Sequence, residues 1–584
     1  MFKAFTRAYR ALRSQCIRLV ETLTPSEKIF FYTFLGVALV ATLIGTYKIN
    51  QSLLIDVPRS GGSLTEGFIG TPRFINPVLA TSDTDKDLVS LVYSGLVRQE
   101  SGGGIFLDLA SSWSVSEDGK EYFFTIRENA EFHDGTSVTA SDVIFTIQKI
   151  QDPVLKSPKR PAWEGIEVVA LSDREIKFTL KQPYGAFLNS LSLGIMPKYI
   201  WNEISSDEMP YSAYNTNPIG SGPYKVDRVI MNPNGLPEEI ELHSFSKFVL
   251  NEPYIKKIFA KFYINRKDRV DALLRKEINS VAGLTDENAV DLSEEGFIVK
   301  NSPLNRIFGL FLNQNSAPVL AHKEIRKALS DATDRRMLVK NILKDFGSPQ
   351  TSPIPEFALE EQEGLVPIEN PLENSTTTTP GNSAEEILAR LNALGWKIGE
   401  DGILFKGTEK LAFSISTSDS EDLKETALSL QEMWKKIGAE VSIKIFEPSQ
   451  LNLSVIRPRN YQSLLFGITI GREKDYYAFW HSSQRNDPGL NISLYTNAKA
   501  DKLLESVRTL NNTIERALAE RSFALMVETD TPAIFLYSPH FIYVAPSRLK
   551  GYNNESLRAP GDRFYDIHTW YIETDSVWGI FATN

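Results

Sequence analysis

Between residues 107 and 150 the alternation of apolar and polar positions changes rhythm, and the change spells out a strand, a turn, a second strand and a helix. Tyr122, Phe124 and Ile126 recur at a period of two, the pattern of a half-buried strand. The tripeptide Glu117-Asp118-Gly119 before them is a turn in which glycine is free to take positive φ, so it joins two antiparallel segments. After a second turn at Asp134-Gly135 the period lengthens. Thr139 is a good N-cap, Asp142 stands three residues on, and residues 143–150 are predicted as an amphipathic helix. Leu88, Leu91, Val92 and Leu96 give residues 86–96 a helical period, and residues 163–180 hold two strands around a Ser-Asp turn. Strands follow at 239–245 and 258–264, then a helix from Arg266 leading into a short strand at 280–283.

The second half has a different texture. A strand at 306–313 precedes a helix with Ile325, Ala328, Leu329 and Ala332 on one face. Residues 356–382, EFALEEQEGLVPIENPLENSTTTTPGN, are acidic and rich in Pro and Thr without apolar periodicity, so they read as a surface loop or disordered insert. Order returns with Ser383 as N-cap, Glu386 three residues on and Gly395 as C-cap. Strand 411–417, helix 421–436 and strand 440–446 then make a β-α-β unit, which implies a parallel pair and a right-handed crossover. An apolar strand after a helix closes the pattern at 525–544. Antiparallel strands early and β-α-β later predict an α/β chain of two lobes.

The 19 uncharged residues 29–47, IFFYTFLGVALVATLIGTY, are long enough to cross about 30 Å of hydrocarbon as one helix. Seven Lys/Arg against Glu21 and Glu27 give the first fifty residues a charge of +5, whereas the whole chain carries −10. The basic flank comes first, so the positive-inside rule keeps residues 1–28 cytoplasmic and places the rest outside, a single-pass protein of the cell membrane. A cleaved signal peptide is the competing reading of the same stretch. The only cysteine, Cys16, precedes the span, so the body carries no disulfide. Its acidity and lack of a basic stripe exclude nucleic acid as a partner. At 584 residues and 42% hydrophobic content the chain can bury a large core in two or three lobes.

Catalytic patterns are missing from the sequence. The six histidines are scattered, and there is no H-E-x-x-H, no Gly-x-Ser-x-Gly and no phosphate loop. His133 beside Asp134 is better read as fastening a turn than as a base. Asn491 reads as a structural hydrogen-bonder.

Several segments, taken as text, resemble the extracytoplasmic solute-binding proteins of peptide and nickel ABC transporters, the dipeptide/oligopeptide-binding family 5. They are W-x-V-S-x-D-G-K-x-Y-x-F-x-I-R-x-x-x-x-F-H-D-G-T-x-V-T-A-x-D-V from Trp113, Tyr93-Ser-Gly-Leu, and Gly220-Ser-Gly-Pro-Tyr with Ser221 where the family has Thr. Arg306-Ile-Phe-Gly-Leu-Phe-Leu-Asn313 with Ile325-Arg-Lys-Ala-Leu, and Phe479-Trp-His-Ser-Ser-Gln484, complete the match. The resemblance implies a two-lobed periplasmic-binding-protein-like clamp, type II, of the large cluster with an extra subdomain, preceded by one transmembrane helix. The expected parts are a basic segment 1–28, a span 29–47, a tether 48–60, lobe I over 61–305 with the extra subdomain at about 82–215, lobe II over 306–531, and a return to lobe I over 532–584.

The implied function is that of the substrate-binding component of an ABC importer, a monomer without cofactor, metal or catalysis, which closes on an oligopeptide and delivers it to a permease. The same fold with a nickel chelate, haem or oligosaccharide as ligand, or a sensor or envelope-assembly role, are the alternatives. The resemblance also implies where ligand sits: Thr71, Arg73, Phe74, Asn76 and Tyr93 on the upper lobe, and Gly467, Ile468, Thr469, Ile470, Arg472, Glu473, Asp475 and Trp480 on the lower. Asp475 fits one acidic position of the family's loop, but the earlier acid, which holds the peptide amine, falls on Arg472. Glu473 is the adjacent substitute, and a cationic Arg472 would instead favour an anionic group.

Overall fold

A computed structural model of the chain describes residues 22–578 apart from 100–103, 185–186, 285–291, 293–296, 356–382, 471–474, 511, 553–556 and 558. The insert expected at 356–382 lies outside the described residues, as do Arg472 and Glu473. Two compact units are present. One joins the chain up to Arg59 with the segment from Glu573, and the other is Ser60–Ile572.

In the smaller unit Pro25–Leu53 is one continuous helix. Pro25 occupies the first helical position, where a missing N–H costs nothing. Thr24 and Glu27 form a capping box in which Glu27 Oε2 accepts from the Thr24 N–H at 2.8 Å and its hydroxyl at 2.7 Å. The helix is apolar on every side and none of its residues is buried among the described residues, as suits a membrane span or a signal sequence. The hydroxyls of Thr33, Thr42 and Thr46 donate to the carbonyls of Ile29, Ala38 and Thr42, so they are satisfied without water. Residues 48–60, expected as a tether, finish this helix and then form the strand Leu54–Arg59, antiparallel to Glu573–Trp578. Asp56 and Pro58 conceal that strand from a periodicity reading, and its partner stands at the other end of the sequence.

The larger unit is organised by a twelve-stranded sheet. From lobe II to lobe I its main path is Glu440–Phe446, Ala412–Ser418, Ser463–Thr469, Arg306–Leu312, Ala533–Pro546, Ser280–Ala282, Ser63–Ile69, Lys257–Tyr263, Pro237–Ser244 and Tyr224–Met231. The fourteen-residue strand Ala533–Pro546 serves both lobes. Its first part pairs with Arg306–Leu312 and its second with Ser280–Ala282 and Phe297–Pro303. The other passage between lobes is the two-residue link Leu304-Asn305. Separate cores lie to either side: Leu64, Leu242 and Ile258 belong to lobe I, while Leu310, Ile415 and Trp434 form one core of lobe II and Phe311, Trp480 and Phe523 another. Two narrow connections between independently packed lobes are the requirement for hinge closure.

Local expectations translate directly. Ala110–Val115 and Glu121–Ile126 pair around Gly119, whose φ is +68°, and Tyr122, Phe124 and Ile126 are all buried. Glu175–Thr179 and Glu167–Ala170 complete a four-stranded sheet. The helix Ala140–Gln151 starts with the predicted cap: Asp142 Oδ2 accepts from the Thr139 N–H at 2.9 Å and from its hydroxyl at 2.7 Å. Ala412–Ser418 and Glu440–Phe446 are parallel, bridged by the helix Glu421–Lys435.

Three separate motifs meet at one junction of lobe I. His133 donates its backbone N–H to the Gly220 carbonyl at 2.8 Å, while its Nδ1 accepts from the Gly220 N–H at 3.2 Å. That leaves Nε2–H to donate to the Gly222 carbonyl at 3.1 Å. Gly222 N–H in turn donates to the Val92 carbonyl, next to Tyr93. His133 thus needs to be neutral, and burial pushes its pKa down to about 4, against the smaller opposing effect of the Gly222 carbonyl. Gly220 has no room for a side chain, because a Cβ would stand 2.0 Å from the Val92 carbonyl oxygen. Gly220→Ala is therefore expected to destabilise the protein by about 1–3 kcal/mol or more, since backbone rather than a flexible side chain blocks the methyl group. An unchanged thermal unfolding midpoint would show that the junction yields easily.

Candidate functional site

A cavity of about 1380 Å³ opens between the lobes. Lobe I contributes Gly67, Phe68, Ile69, Asp83 and Arg266, and lobe II contributes Arg306, Phe308, Gly467, Ile468, Thr469 and Asp422. Phe308 and Gly467 face one another across adjacent antiparallel strands. The phenylalanine ring lies over the glycine so closely that a Cβ on Gly467 would approach it to 2.6 Å. The same ring carries the Arg306 guanidinium at 4.7 Å from its centroid and packs against Tyr537 at 5.5 Å. Arg306 is reached by solvent, yet among the described residues no carboxylate lies within ion-pair distance of it. Poor hydration between the lobes lowers its pKa, opposed by the negative charge of Asp83. An arginine held in a cleft without an internal partner is available to a ligand anion.

The backbone beside it is equally available. Ile470 N–H donates to the Asn305 carbonyl at 3.1 Å, and Arg306↔Thr469 is the next pair in register. In an antiparallel ladder the residues bonded to one neighbour alternate with those facing away, so the N–H and C=O groups of Gly467 and Thr469 face the opposite edge. There the neighbouring strand Ala412–Ser418 pairs only at Ser463 and Leu464. Beyond Leu464 that edge has no strand partner among the described residues, and it borders the cavity.

The residues expected from sequence are distributed as follows. Gly467, Ile468 and Thr469 are on the cavity wall. Ile470 is buried, held to Asn305 through both its backbone groups. Thr71 is half-buried in the loop after Ser63–Ile69. Arg73 and Phe74 shape that loop by donating their backbone N–H groups to Asp85 Oδ1 at 2.8 and 2.9 Å. Asn76 is fully buried, donating to Asn215 and accepting from the Val78 N–H. Tyr93 is packed at the glycine junction with 5% exposure. Trp480, 1% exposed, is enclosed by Phe311, Tyr495, Phe523 and Phe535. Asp475 is held by Arg508, whose Nε and Nη2 reach its two oxygens at 3.0 and 2.5 Å, with the guanidinium 3.7 Å from the Tyr477 ring centroid. A carboxylate already gripped on both oxygens is a poor receptor for a ligand amine. Asn491 donates to the carbonyls of Trp480, His481 and Tyr495, a structural role.

Sequence reasoning overlooked Arg306, Phe308, Asp422 and Tyr537. The available signal was Arg306 itself, a charge opening an otherwise apolar strand directly after the crossing between lobes.

Under the lobe I wall lies a buried ionic cluster. Arg563 Nη2 reaches Glu66 Oε1 at 3.2 Å and Asp87 Oδ2 at 2.8 Å, and Tyr543 donates its hydroxyl to Glu66 Oε2 at 3.0 Å. Burial pushes the Asp87 carboxyl up to about 6 despite the opposing Arg563 charge. For Arg563, burial is outweighed by the two carboxylates, and its pKa is raised.

Residues 105–489 match the description "Bacterial extracellular solute-binding proteins, family 5 Middle". The oligopeptide-binding protein AppA of Bacillus subtilis (strain 168) is 28% identical over 524 residues, covering 88% of this chain and 92% of that protein. The solved structure of that protein with a nonapeptide superposes with a TM-score of 0.67 at 25% identity, over 88% of this chain and all of the other. NikZ of Campylobacter jejuni, solved with Ni(L-His), superposes with a TM-score of 0.66 at 25% identity over 87% of this chain and 99% of the other. A two-lobed fold joined by two strands, a cavity between the lobes and a match spanning more than half the sequence have one consequence: this chain belongs to the bacterial extracellular solute-binding proteins of family 5.

Proposed function

We propose that the chain is the substrate-binding component of an ABC importer, that it captures an oligopeptide in the cavity between its lobes, and that the helix Pro25–Leu53 is retained as its membrane anchor. The observation that carries the peptide reading is the open edge at Gly467 and Thr469. An extended peptide laid there gains backbone hydrogen bonds that do not depend on its sequence, and the cavity leaves room for side chains of several sizes with water between. Arg306 supplies a cation for a peptide carboxylate, and Asp83 and Asp422 supply anions for its amine. Asp475, engaged by Arg508, is left out of amine recognition. AppA of Bacillus subtilis, solved with a nonapeptide, supports the class of ligand, whereas NikZ, solved with Ni(L-His), represents the alternative; the family's members are binding proteins rather than enzymes. The chain acts as a monomer and passes its peptide to a permease in the same membrane.

The test is to extract the full-length protein from membranes, record its native mass, then denature it and identify what it releases. A series of short peptides of mixed sequence is the expected result. A single defined non-peptide mass, such as a metal chelate, would overturn the peptide reading and keep the fold. An empty protein that also ignores added peptides would favour a sensing or assembly role.

A further inference from the structure

We propose that the strand Glu573–Trp578 is a second membrane-contacting element, which sets Trp578 in the phospholipid headgroup layer on the outer face. The inference rests on the anchor reading above. It starts from the length of the helix. Nineteen uncharged residues at 1.5 Å each measure close to the ~30 Å of a bilayer's hydrocarbon core, so Tyr47 marks the outer boundary and Lys48 begins the polar layer. Trp578 Nε1–H donates to Asn50 Oδ1 at 2.7 Å. Asn50 is three residues beyond Tyr47, roughly 4–5 Å further along the helix axis, within a headgroup layer about 5–7 Å deep on each side. Tryptophan favours that layer because its ring is apolar and its N–H polar.

The ribbon is graded in the direction such placement requires. Its six pairs run from Leu54↔Trp578 and Ile55↔Val577 beside the helix to Pro58↔Thr574 and Arg59↔Glu573 at the far end. The near end is apolar and, among the described residues, partly exposed, with Trp578 42% and Ile55 45% exposed. The far end is ionic: Arg59 lies 3.4 Å from Asp575 and 3.8 Å from Glu573. Two strands alone are marginal in water. Here one strand continues directly from the helix, and an interface that takes up the apolar pairs supplies the missing support. The occupant is lipid because the helix fixes the bilayer boundary within one turn of Trp578.

The experiment uses the full chain with Cys16→Ser in lipid nanodiscs, spin-labelled at Trp578→Cys or at Thr574→Cys. Accessibility to oxygen, which partitions into lipid, is compared with accessibility to a water-soluble nickel chelate. Collisions with the chelate are expected to be several-fold lower at 578 than at 574, and collisions with oxygen higher. Equal chelate access at both positions would overturn the proposal, and so would shielding of 578 from both reagents, which means a protein neighbour. Bromolipid quenching of the native protein provides a check without the label: Trp578→Phe should remove a quenchable component, and unchanged quenching counts against the inference. Intact mass keeps the underlying reading separate, since a chain lacking the helix would sink the anchor itself.

Discussion

Arg306→Ala is expected to weaken capture of a peptide with a free carboxylate by about 10- to 100-fold, the loss of one charge-assisted hydrogen bond of roughly 1.5–3 kcal/mol. The fold should not suffer. The Arg306 guanidinium is exposed, makes no ion pair among the described residues and rests on the Phe308 ring, so its truncation removes little that holds the strand. Binding is to be measured by calorimetry with a peptide identified from the released pool and with its C-terminal amide. In the native protein amidation should cost about as much as the substitution, and in Arg306→Ala it should cost little more, because the two changes remove the same interaction. If amidation weakens both proteins equally, the carboxylate is bound elsewhere and Arg306 is not its partner.

This residue also shows where sequence reading stops. The hairpin around Gly119, the capped helix Ala140–Gln151 and the parallel unit from Ala412 to Phe446 were legible because their information is local: a period, a turn residue, a cap three positions from its acid. Even His133 as a turn fastener followed from its Asp-Gly context. Cleft residues are selected by something else. Gly467 matters because the register places Phe308 directly opposite, and no local pattern fixes that pairing. Trp480 and Asp475 sit in a motif shared with the family, yet the motif proves to be packing and ion pairing: Trp480 fills a core and Asp475 is bound by Arg508, more than thirty residues later in the chain. Tyr93 and Asn76 likewise hold the lobe I scaffold together. The strand Leu54–Arg59 was invisible for the opposite reason, since its sequence suits a tether until the far end of the chain arrives to pair with it.

Arg563→Met is expected to be the most destabilising of the substitutions considered, by about 3–5 kcal/mol, the usual cost of stranding buried charge by deleting its partner. Methionine nearly fills the space and keeps contact with Phe564, whose ring lies 4.0 Å from the guanidinium, so the loss comes mainly from Glu66 and Asp87 and little from a cavity. The deficit should also depend on pH, with a sign fixed by Asp87. Its folded pKa of about 6 stands above the ordinary 3.8, so the folded state takes up the proton more readily than the unfolded one, and this group favours folding increasingly as pH falls from above 6 towards 4. Without Arg563 the carboxyl rises further, and protonation then removes much of the uncompensated charge. His133 and His568, whose pKa values burial depresses to about 4 and about 3, act in the opposite direction in both proteins and cancel in the comparison. Unfolding midpoints of the native and Arg563→Met proteins should therefore differ markedly at pH 8 and less at pH 5. Equal deficits at the two pH values would mean that the cluster acts through packing and that its charges are already compensated by other groups. The location gives the measurement its functional weight: Asp87 and Arg563 both border the cavity, so the ion pairs that hold lobe I together also fix the electrostatic wall against which a charged peptide would lie.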